Sequence, residues 1–218
     1  MTTEPIPIGP RPPQQARSRA ALRKVLASAE HVLIAGGLDN FTMAAVAERA
    51  GVSIGAVYRR FSGKEQLLDA VKDRMLTHLE EQLAEALAEA AERDTAAVIA
   101  AYTATLAAGF ATNSKAIPLL IQLTGSASTE RGKQAIETLE RLFVDAASPH
   151  RDEIRHPAPA LALAFLARTI ASACIHRTMM VSWCNDVSWE SWQREMTVMG
   201  IRYLTAPGGE GHGLTSVA

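Results

Sequence analysis

The stretch Thr42–Lys64, TMAAVAERAGVSIGAVYRRFSGK, constrains the fold of this 218-residue chain more than any other segment. Two short apolar patterns with helical spacing lie on either side of Gly51. The positions that would share one core are Met43, Val46, Ala47 and Ala50 in the first pattern and Val57 and Phe61 in the second. Two helices of about eight residues that pack together across a glycine turn are typical of a helix-turn-helix.

Capping residues predict where these helices begin and end. Thr42 and Ser53 are suited to the N-cap, where a side-chain oxygen accepts a hydrogen bond from the first turn, and Gly51 suits the turn. The second helix of the pair is expected to run through Phe61. The run 62–65, Ser-Gly-Lys-Glu, has the form of a capping box with serine at the N-cap and glutamate at N3, and it would begin a fourth helix.

The side chains that point outward from the second helix of the pair have chemistry suited to double-stranded DNA. That helix enters the major groove in a helix-turn-helix. Arginine donates two hydrogen bonds to guanine, glycine lets the backbone approach the duplex, and isoleucine contacts a thymine methyl group. A tyrosine hydroxyl and residues at helix N-termini bind phosphates. The predicted DNA-contacting residues are Thr42, Ser53, Ile54, Gly55, Ala56, Tyr58, Arg59, Arg60 and Lys64.

This stretch resembles the N-terminal signature of the tetracycline-repressor (TetR) family of bacterial regulators. The residues that carry the resemblance are Thr42, Ala50-Gly51-Val52-Ser53, Gly55, Tyr58, Phe61 and Lys64-Glu65, at the spacing of that signature. The chain departs from many relatives at Arg59-Arg60, where they have an aromatic residue or histidine after the tyrosine. An arginine pair can read guanine or hold phosphates. We favour a split, with Arg59 directed to bases and Arg60 to the backbone.

Helical rather than strand periodicity runs through the rest of the sequence, which predicts an all-α protein of about nine helices. The first helix is expected at Arg17–Ala35, with Gly36-Gly37 as its stop. Beyond Glu80 the fourth is expected to continue as an alanine-rich run to about Arg93, with a break somewhere in that run. Further helices are expected at 95–111, 116–124, 130–147, 158–184 and 188–205.

Both ends of the chain differ in composition from the middle. Residues 1–16 hold five of the ten prolines, and four glycines follow closely after Pro207, so both ends are expected to be disordered. The predicted domains are a disordered arm at 1–16, a helix-turn-helix domain at 17–62, a ligand-binding and dimerisation domain at 63–206, and a disordered tail at 207–218.

Composition and charge limit the location and the partners of the chain. It is 48% hydrophobic, and no uninterrupted apolar run approaches a membrane span, so we predict a cytoplasmic protein with no membrane partner. Residues 1–76 hold eleven Lys or Arg and seven Asp or Glu, whereas residues 77–218 hold eleven and sixteen. A positive N-terminal end suits an approach to phosphates. Cys174 and Cys184, ten apart on one predicted helix, are too distant to pair.

The sequence contains no catalytic signature. It has no glycine-rich phosphate loop, no nucleophile elbow and no paired acid motif. His176 lies two residues after Cys174 on a predicted helix, where the two side chains point in different directions, and no CxxC motif is present. We therefore expect no enzyme activity, no metal and no cofactor.

The resemblance implies roles for the C-terminal helices. In the TetR family the later helices form a small-molecule pocket, and the last two long helices, here 158–184 and 188–205, form a homodimer interface. The expected pocket residues, suited to a lipophilic ligand, are Tyr102, Leu106, Phe110, Ile117, Leu120, Ile121, Phe143, Phe165, Thr169 and His176.

These implications define the expected function. It is a dimeric repressor that a small molecule releases from a near-palindromic DNA operator. Two alternatives stay open. One is a DNA-binding regulator without a ligand, acting constitutively or as an activator, and the other is a helical enzyme or interaction module with a vestigial DNA motif.

Overall fold

The computed structural model describes residues 14–121, 126–180 and 186–206, which form nine α-helices, one 3₁₀ helix and no β-strand. The all-α prediction is confirmed. The helices are α1 (Gln14–Asn40), α2 (Met43–Ala50), α3 (Ile54–Tyr58), α4 (Lys64–Ala90), α5 (Thr95–Thr112), α6 (Ala116–Ile121), α7 (Ser126–Ala147), α8 (Pro159–Met179) and α9 (Trp189–Thr205), and the 3₁₀ helix is Ser148–Glu153.

The chain divides into two compact units, of which the first ends at Val71 and the second begins at Lys72. The division lies inside α4, later than the boundary expected after residue 62. The predicted tail from residue 207, and residues 1–13 of the predicted arm, lie outside the described residues. Residues 14–16 of that arm belong to α1, which begins three residues before the predicted start at Arg17.

The first unit has a small core to which each of its first three helices contributes. Leu33 of α1, Val46 of α2, Val57 of α3 and Phe41 between α1 and α2 are fully buried. The helical backbone of α1 is interrupted at Gly37, where φ is 66° and ψ is −170°. That region of φ and ψ is open essentially to glycine alone, which explains the predicted stop at this position.

The prediction that the third helix runs to Phe61 is wrong. α3 has five residues and ends at Tyr58, and the two arginines that follow form a turn. Phe61 is nevertheless buried, and its N–H donates to the Val57 carbonyl at 3.0 Å. A spacing of four residues therefore brings Phe61 back to the core through a turn, without a continuing helix.

The predicted capping box at the start of α4 is also corrected. Because α4 begins at Lys64, Gly63 lies at the N-cap, and its carbonyl accepts a hydrogen bond from Leu67 N at 3.2 Å. The side chain that reaches back is that of Gln66, whose Oε1 accepts from Ser62 N at 2.6 Å. α4 then continues to Ala90 without the predicted break, since it contains no glycine or proline to interrupt it.

The second unit is built around α5, which has no charged residue in its 18 residues. By length and hydropathy alone α5 and α8 could cross a membrane, contrary to the expectation that no apolar run approaches that length. In this unit, however, α5 packs against α7, α8 and α9, and Val98, Ile99 and Tyr102 are fully buried. Its uncharged sequence is accounted for by the core that it fills.

Several helix boundaries in the second unit differ from those expected. α7 begins at Ser126 rather than residue 130, and α8 ends at Met179 rather than residue 184. Residues 181–185, which include Cys184, lie outside the described residues. Cys174 is buried in the core of the unit, and that burial raises the pKa of its thiol to about 12.

Candidate nucleic-acid interface and ligand cavity

Side-chain caps and one left-handed glycine fix the helix-turn-helix. Thr42 Oγ1 accepts a hydrogen bond from Ala45 N at 3.1 Å, and Ser53 Oγ accepts one from Ala56 N at 3.2 Å. Gly51 follows α2 with φ 61° and ψ 39°, a conformation that costs glycine little and other residues more. The predicted capping and turn roles of these residues are confirmed.

α3 presents one face to the core and one to solvent. Val57 is fully buried, whereas the side chains of Ile54 and Tyr58 are 47% and 52% exposed. Gly55 and Arg59 are exposed as well, and the small Ala56 is half-buried. The exposed face is therefore a surface with little steric bulk at Gly55 and with hydrogen-bonding groups beside it, as approach to a groove requires.

The two arginines after Tyr58 have different surroundings. Arg60 donates through its NH2 group to the carbonyl and the hydroxyl of Ser18, at 3.3 Å and 3.2 Å. Among the described residues, none forms a hydrogen bond or ion pair with the side chain of Arg59. Like Arg60, Lys64 is held by a residue of α1, because its Nζ donates to the Leu38 carbonyl at 2.5 Å. Of the three positively charged side chains of the predicted interface, Arg59 is thus free to reorient, whereas Arg60 and Lys64 are oriented by residues of α1.

Sequence reasoning missed further basic residues in the first unit. Lys24, His31 and Arg49 line a shallow hollow formed by α1 and α2. Lys24 Nζ lies 3.5 Å from the position that a β-carbon on Gly51 would occupy, so it is adjacent to the turn. Their basic side chains were the only indication in the sequence that they could bind phosphates, since none of them lies on the helix that is predicted to enter the major groove.

A cavity of about 290 Å³ lies within the second unit. It is lined mainly by apolar side chains of five helices, α4 to α8, among them Leu76, Leu79, Leu139 and Ile175. Gly109 allows α5 to approach α4 here, because a β-carbon at Gly109 would come within 2.7 Å of Leu79 Cδ1. The volume is near the lower end of the range for small-molecule sites.

Four of the ten predicted pocket residues line this cavity, namely Phe110, Ile117, Leu120 and Ile121. The other six do not. Tyr102, Leu106 and Phe143 are fully buried in the core, where Tyr102 donates to the Ala167 carbonyl at 3.1 Å. On α8, Phe165 is 59% exposed, His176 is exposed and Thr169 is half-buried. Their helical register turns these three away from the cavity, whereas Ala171 and Ile175 line it.

The polar residues of the cavity were also missed. Lys72, His78 and Gln82 of α4, Asn113 after α5 and Thr129 of α7 contribute to its lining. Lys72 Nζ donates to the carbonyl and the hydroxyl oxygen of Ser128, at 2.7 Å and 2.9 Å. No local pattern in the sequence distinguishes these residues from the polar side of an ordinary surface helix.

Arg131 connects the first turns of α7 to α4 beside this cavity. Its guanidinium group binds Glu80 in a bidentate manner, at 2.8 Å and 3.0 Å, and donates through Nε to Asp73 at 2.7 Å. The hydrogen bond with Glu80 is the main reason that the pKa of Arg131 is raised. Fork geometry of this kind fixes orientation as well as distance.

Within residues 14–121, 126–180 and 186–206, no three His, Cys, Asp or Glu side chains come close enough together to hold a metal ion. His150, in the 3₁₀ helix, has a structural role. Its Nε2 lies 2.8 Å from the Ala91 carbonyl oxygen, and its Nδ1 lies 3.5 Å from Glu153 Oε1.

The fold and the capped, solvent-facing α3 define the class of the chain as a helix-turn-helix DNA-binding protein. Residues 25–71 match the family model described as "Bacterial regulatory proteins, tetR family". Residues 25–71 therefore match the N-terminal domain of the TetR family, in agreement with the sequence resemblance. Comparison of the sequence with curated proteins finds no match.

Solved structures of similar fold cover nearly the whole chain. One, described as a TetR-family transcriptional regulator from Mesorhizobium loti, has a TM-score of 0.66 and 18% identity, over 86% of this chain and 96% of that one. NalD of Pseudomonas aeruginosa, named as the secondary repressor of a multidrug efflux pump, has a TM-score of 0.62 and 19% identity, over 88% and 98%. SmeT in complex with triclosan has a TM-score of 0.62 and 19% identity, over 90% and 100%. At these identities the likeness concerns the fold.

Proposed function

We propose that the protein is a dimeric, sequence-specific transcriptional repressor that a small lipophilic molecule releases from a near-palindromic operator. The observation that carries the DNA-binding part is the exposure of Ile54 and Tyr58 on a helix whose Val57 is fully buried, with the exposed Arg59 directly after that helix. A helix anchored by its buried face and capped at Ser53 holds its outer side chains in fixed positions. Fixed positions are what base recognition requires.

The surroundings of the two arginines support a division of labour between them. Arg60 is held by Ser18, so its guanidinium has a defined position and remaining donors for a phosphate. Arg59 is exposed and can align both donors with the O6 and N7 atoms of a guanine. Thr42, Ser53, Tyr58 and Lys64 then bind phosphates, and Ile54, Gly55 and Ala56 bring the backbone of α3 close to the bases.

Exposed apolar residues on the last two helices support a homodimer. Leu161 and Phe165 of α8 are 66% and 59% exposed, and Val198 and Met199 of α9 are 44% and 46% exposed. Large apolar side chains adjacent on a surface mark a site of association. A dimer with twofold symmetry would present two copies of α3 to the two halves of a near-palindromic site.

The apolar cavity in the second unit supports regulation by a ligand. It is lined by residues of α4 from Lys72 to Gln82, and the same helix begins at Lys64, a predicted phosphate contact. A ligand that binds one arrangement of α4 better than another shifts the population of DNA-competent molecules. That NalD is named as a repressor and SmeT is bound to triclosan is consistent with this mechanism. Acting on DNA, the protein would work in the cytoplasm and would need no catalytic activity.

Selection of the full-length protein against random DNA duplexes, with affinity followed at several salt concentrations, tests the proposal. We expect a near-palindromic consensus and a linear fall of log affinity with log salt concentration. Arg59→Ala should relax the preference at one base position by about 1 to 3 kcal/mol. Arg151→Ala removes the same charge from an exposed residue of the 3₁₀ helix and serves as the matched control. Featureless or absent binding would overturn the proposed function.

A further inference from the structure

The cavity has an uneven distribution of charge. Among the described residues that line it, Lys72 is the only lysine or arginine, and it stands with the apolar Met75, Leu76 and Leu79 on the lining face of α4. A ligand that fills such a cavity needs an apolar body, and it gains most if it also carries a negative or strongly accepting group near Lys72.

The ammonium group of Lys72 has a defined position at the first turns of α7. It donates to Ser128 O at 2.7 Å and to Ser128 Oγ at 2.9 Å, and Ser128 is 2% exposed. Gly132, one turn later on α7, lies beside the lysine, and a β-carbon there would be in ordinary contact with Nζ at 3.7 Å. Both oxygens of Ser128 are neutral acceptors. A carboxylate would form stronger, charge-assisted hydrogen bonds with the same donor.

We propose that the cavity binds a small amphipathic carboxylate, with its carboxylate on Lys72 in place of the bonds to Ser128 and its apolar body against Leu79, Leu139 and Ile175. This inference rests on the proposed function, because it assumes that the cavity is the ligand site. At roughly 30 Å³ for each water-sized group, the cavity of about 290 Å³ holds about ten non-hydrogen atoms. A straight-chain acid of eight carbons has that size.

The replacement of the bonds between Lys72 and Ser128 by a carboxylate also suggests how such a ligand acts. While Lys72 is bonded to Ser128, the beginning of α7 is tied to the first residue of α4 that belongs to the second unit. A carboxylate that takes over Lys72 removes this tie, although the bonds of Arg131 to Glu80 and Asp73 remain. The ligand therefore changes what holds α4 at Lys72, eight residues after its start at Lys64.

Calorimetric titration of the full-length protein with octanoate and with 1-octanol tests the inference. The two probes share an alkyl chain and differ in the charge of the head group. We expect octanoate to bind at least tenfold more tightly than 1-octanol, and Lys72→Gln to abolish that preference while changing the affinity for 1-octanol less than twofold. Lys133→Gln, which removes an exposed lysine of α7 outside the cavity, should leave both affinities unchanged.

A second variant keeps the test decisive if Lys72→Gln folds poorly. Ala135 is 2% exposed and lines the cavity, so Ala135→Leu should fill part of it and weaken both probes while Lys72 stays in place. Equal binding of the two probes to the unmodified protein, or no octanoate binding at all, would overturn the inference. Operator binding by the ligand-free protein is measured separately, so the DNA-binding part of the proposed function can stand or fall independently.

Discussion

Replacing Arg131 with methionine should destabilise the second unit, because it leaves Glu80 without its main partner. The guanidinium group makes two hydrogen bonds to Glu80 and one to Asp73. Arg131 and Glu80 are 20% and 19% exposed, whereas Asp73 is 61% exposed. Methionine keeps most of the apolar stem, so Arg131→Met removes the charge and the fork with little change in packing.

The size of the expected loss in the free energy of unfolding follows from how exposed Arg131, Glu80 and Asp73 are. Hydrogen bonds to charged groups contribute about 1.5 to 3 kcal/mol when water is excluded, and fully exposed ion pairs contribute about 0 to 1 kcal/mol. The Glu80 pair lies between these limits, so we expect Arg131→Met to lower the free energy of unfolding by about 2 kcal/mol. Asp73→Asn should cost less than about 0.5 kcal/mol, because water competes for that carboxylate.

Urea unfolding of the full-length protein, followed by tryptophan fluorescence, measures the difference. All three tryptophans follow residue 72 in the sequence, so the signal reports on the second unit. A double-mutant cycle between Arg131→Met and Glu80→Gln should give a coupling energy of about 1 to 2 kcal/mol, and the cycle with Asp73→Asn a much smaller one. A loss below about 0.5 kcal/mol for Arg131→Met, or equal losses for Glu80→Gln and Asp73→Asn, would refute the reasoning.

Four other predictions concern the turn, the reading helix, the dimer face and the buried thiol. Gly51→Ala forces a left-handed conformation on an L-residue and should cost about 1 to 2 kcal/mol in a thermal or urea melt, whereas the same change at a glycine with a right-handed φ would not. Tyr58→Phe should weaken binding to specific and random duplexes by the same factor, unlike Arg59→Ala, and a change of base preference would remove Tyr58 from the phosphate contacts. Phe165→Glu should convert a dimer to a monomer in sedimentation analysis, and an unchanged mass would place the interface elsewhere. Burial raises the pKa of Cys174 above its ordinary value of 9.0 to about 12. The stability that the buried, protonated thiol contributes is therefore complete below pH 9 and is lost as the pH rises towards 12. Cys174→Ala should reduce this loss of stability at alkaline pH, as measured by urea unfolding.

The DNA-binding region could be predicted from the sequence because its determinants are local. Thr42, Gly51 and Ser53 act on backbone groups within four residues of themselves, so their roles can be read without knowledge of the tertiary structure. The length of α3 could not be read in this way. The spacing of Val57 and Phe61 buries both residues whether the backbone between them is a helix or a turn, so only the three-dimensional structure shows that the helix ends at Tyr58.

The cavity could be predicted only in part, because a cavity lies where the side chains of several helices leave space unfilled. Tyr102 and Phe143 are as large and apolar as any ligand-contacting residue, yet their rings, 4.7 Å apart, fill the core. Phe110 and Leu120 look the same in sequence and line the cavity. What separates the two groups is how the helices pack against one another, which the spacing along one helix does not contain.

The proposed regulation depends on the continuity of α4 from Lys64 to Lys72. The uninterrupted helix carries Lys64 at its start and Lys72 two turns later, roughly 12 Å along its axis. Backbone hydrogen bonds between successive turns couple the positions of these residues, since a helix resists bending unless proline, glycine or an inserted group breaks the ladder. The proposed regulation requires this continuity, so a proline placed between the two lysines, for example at Asp69, should uncouple octanoate binding from operator affinity even where each is still measurable.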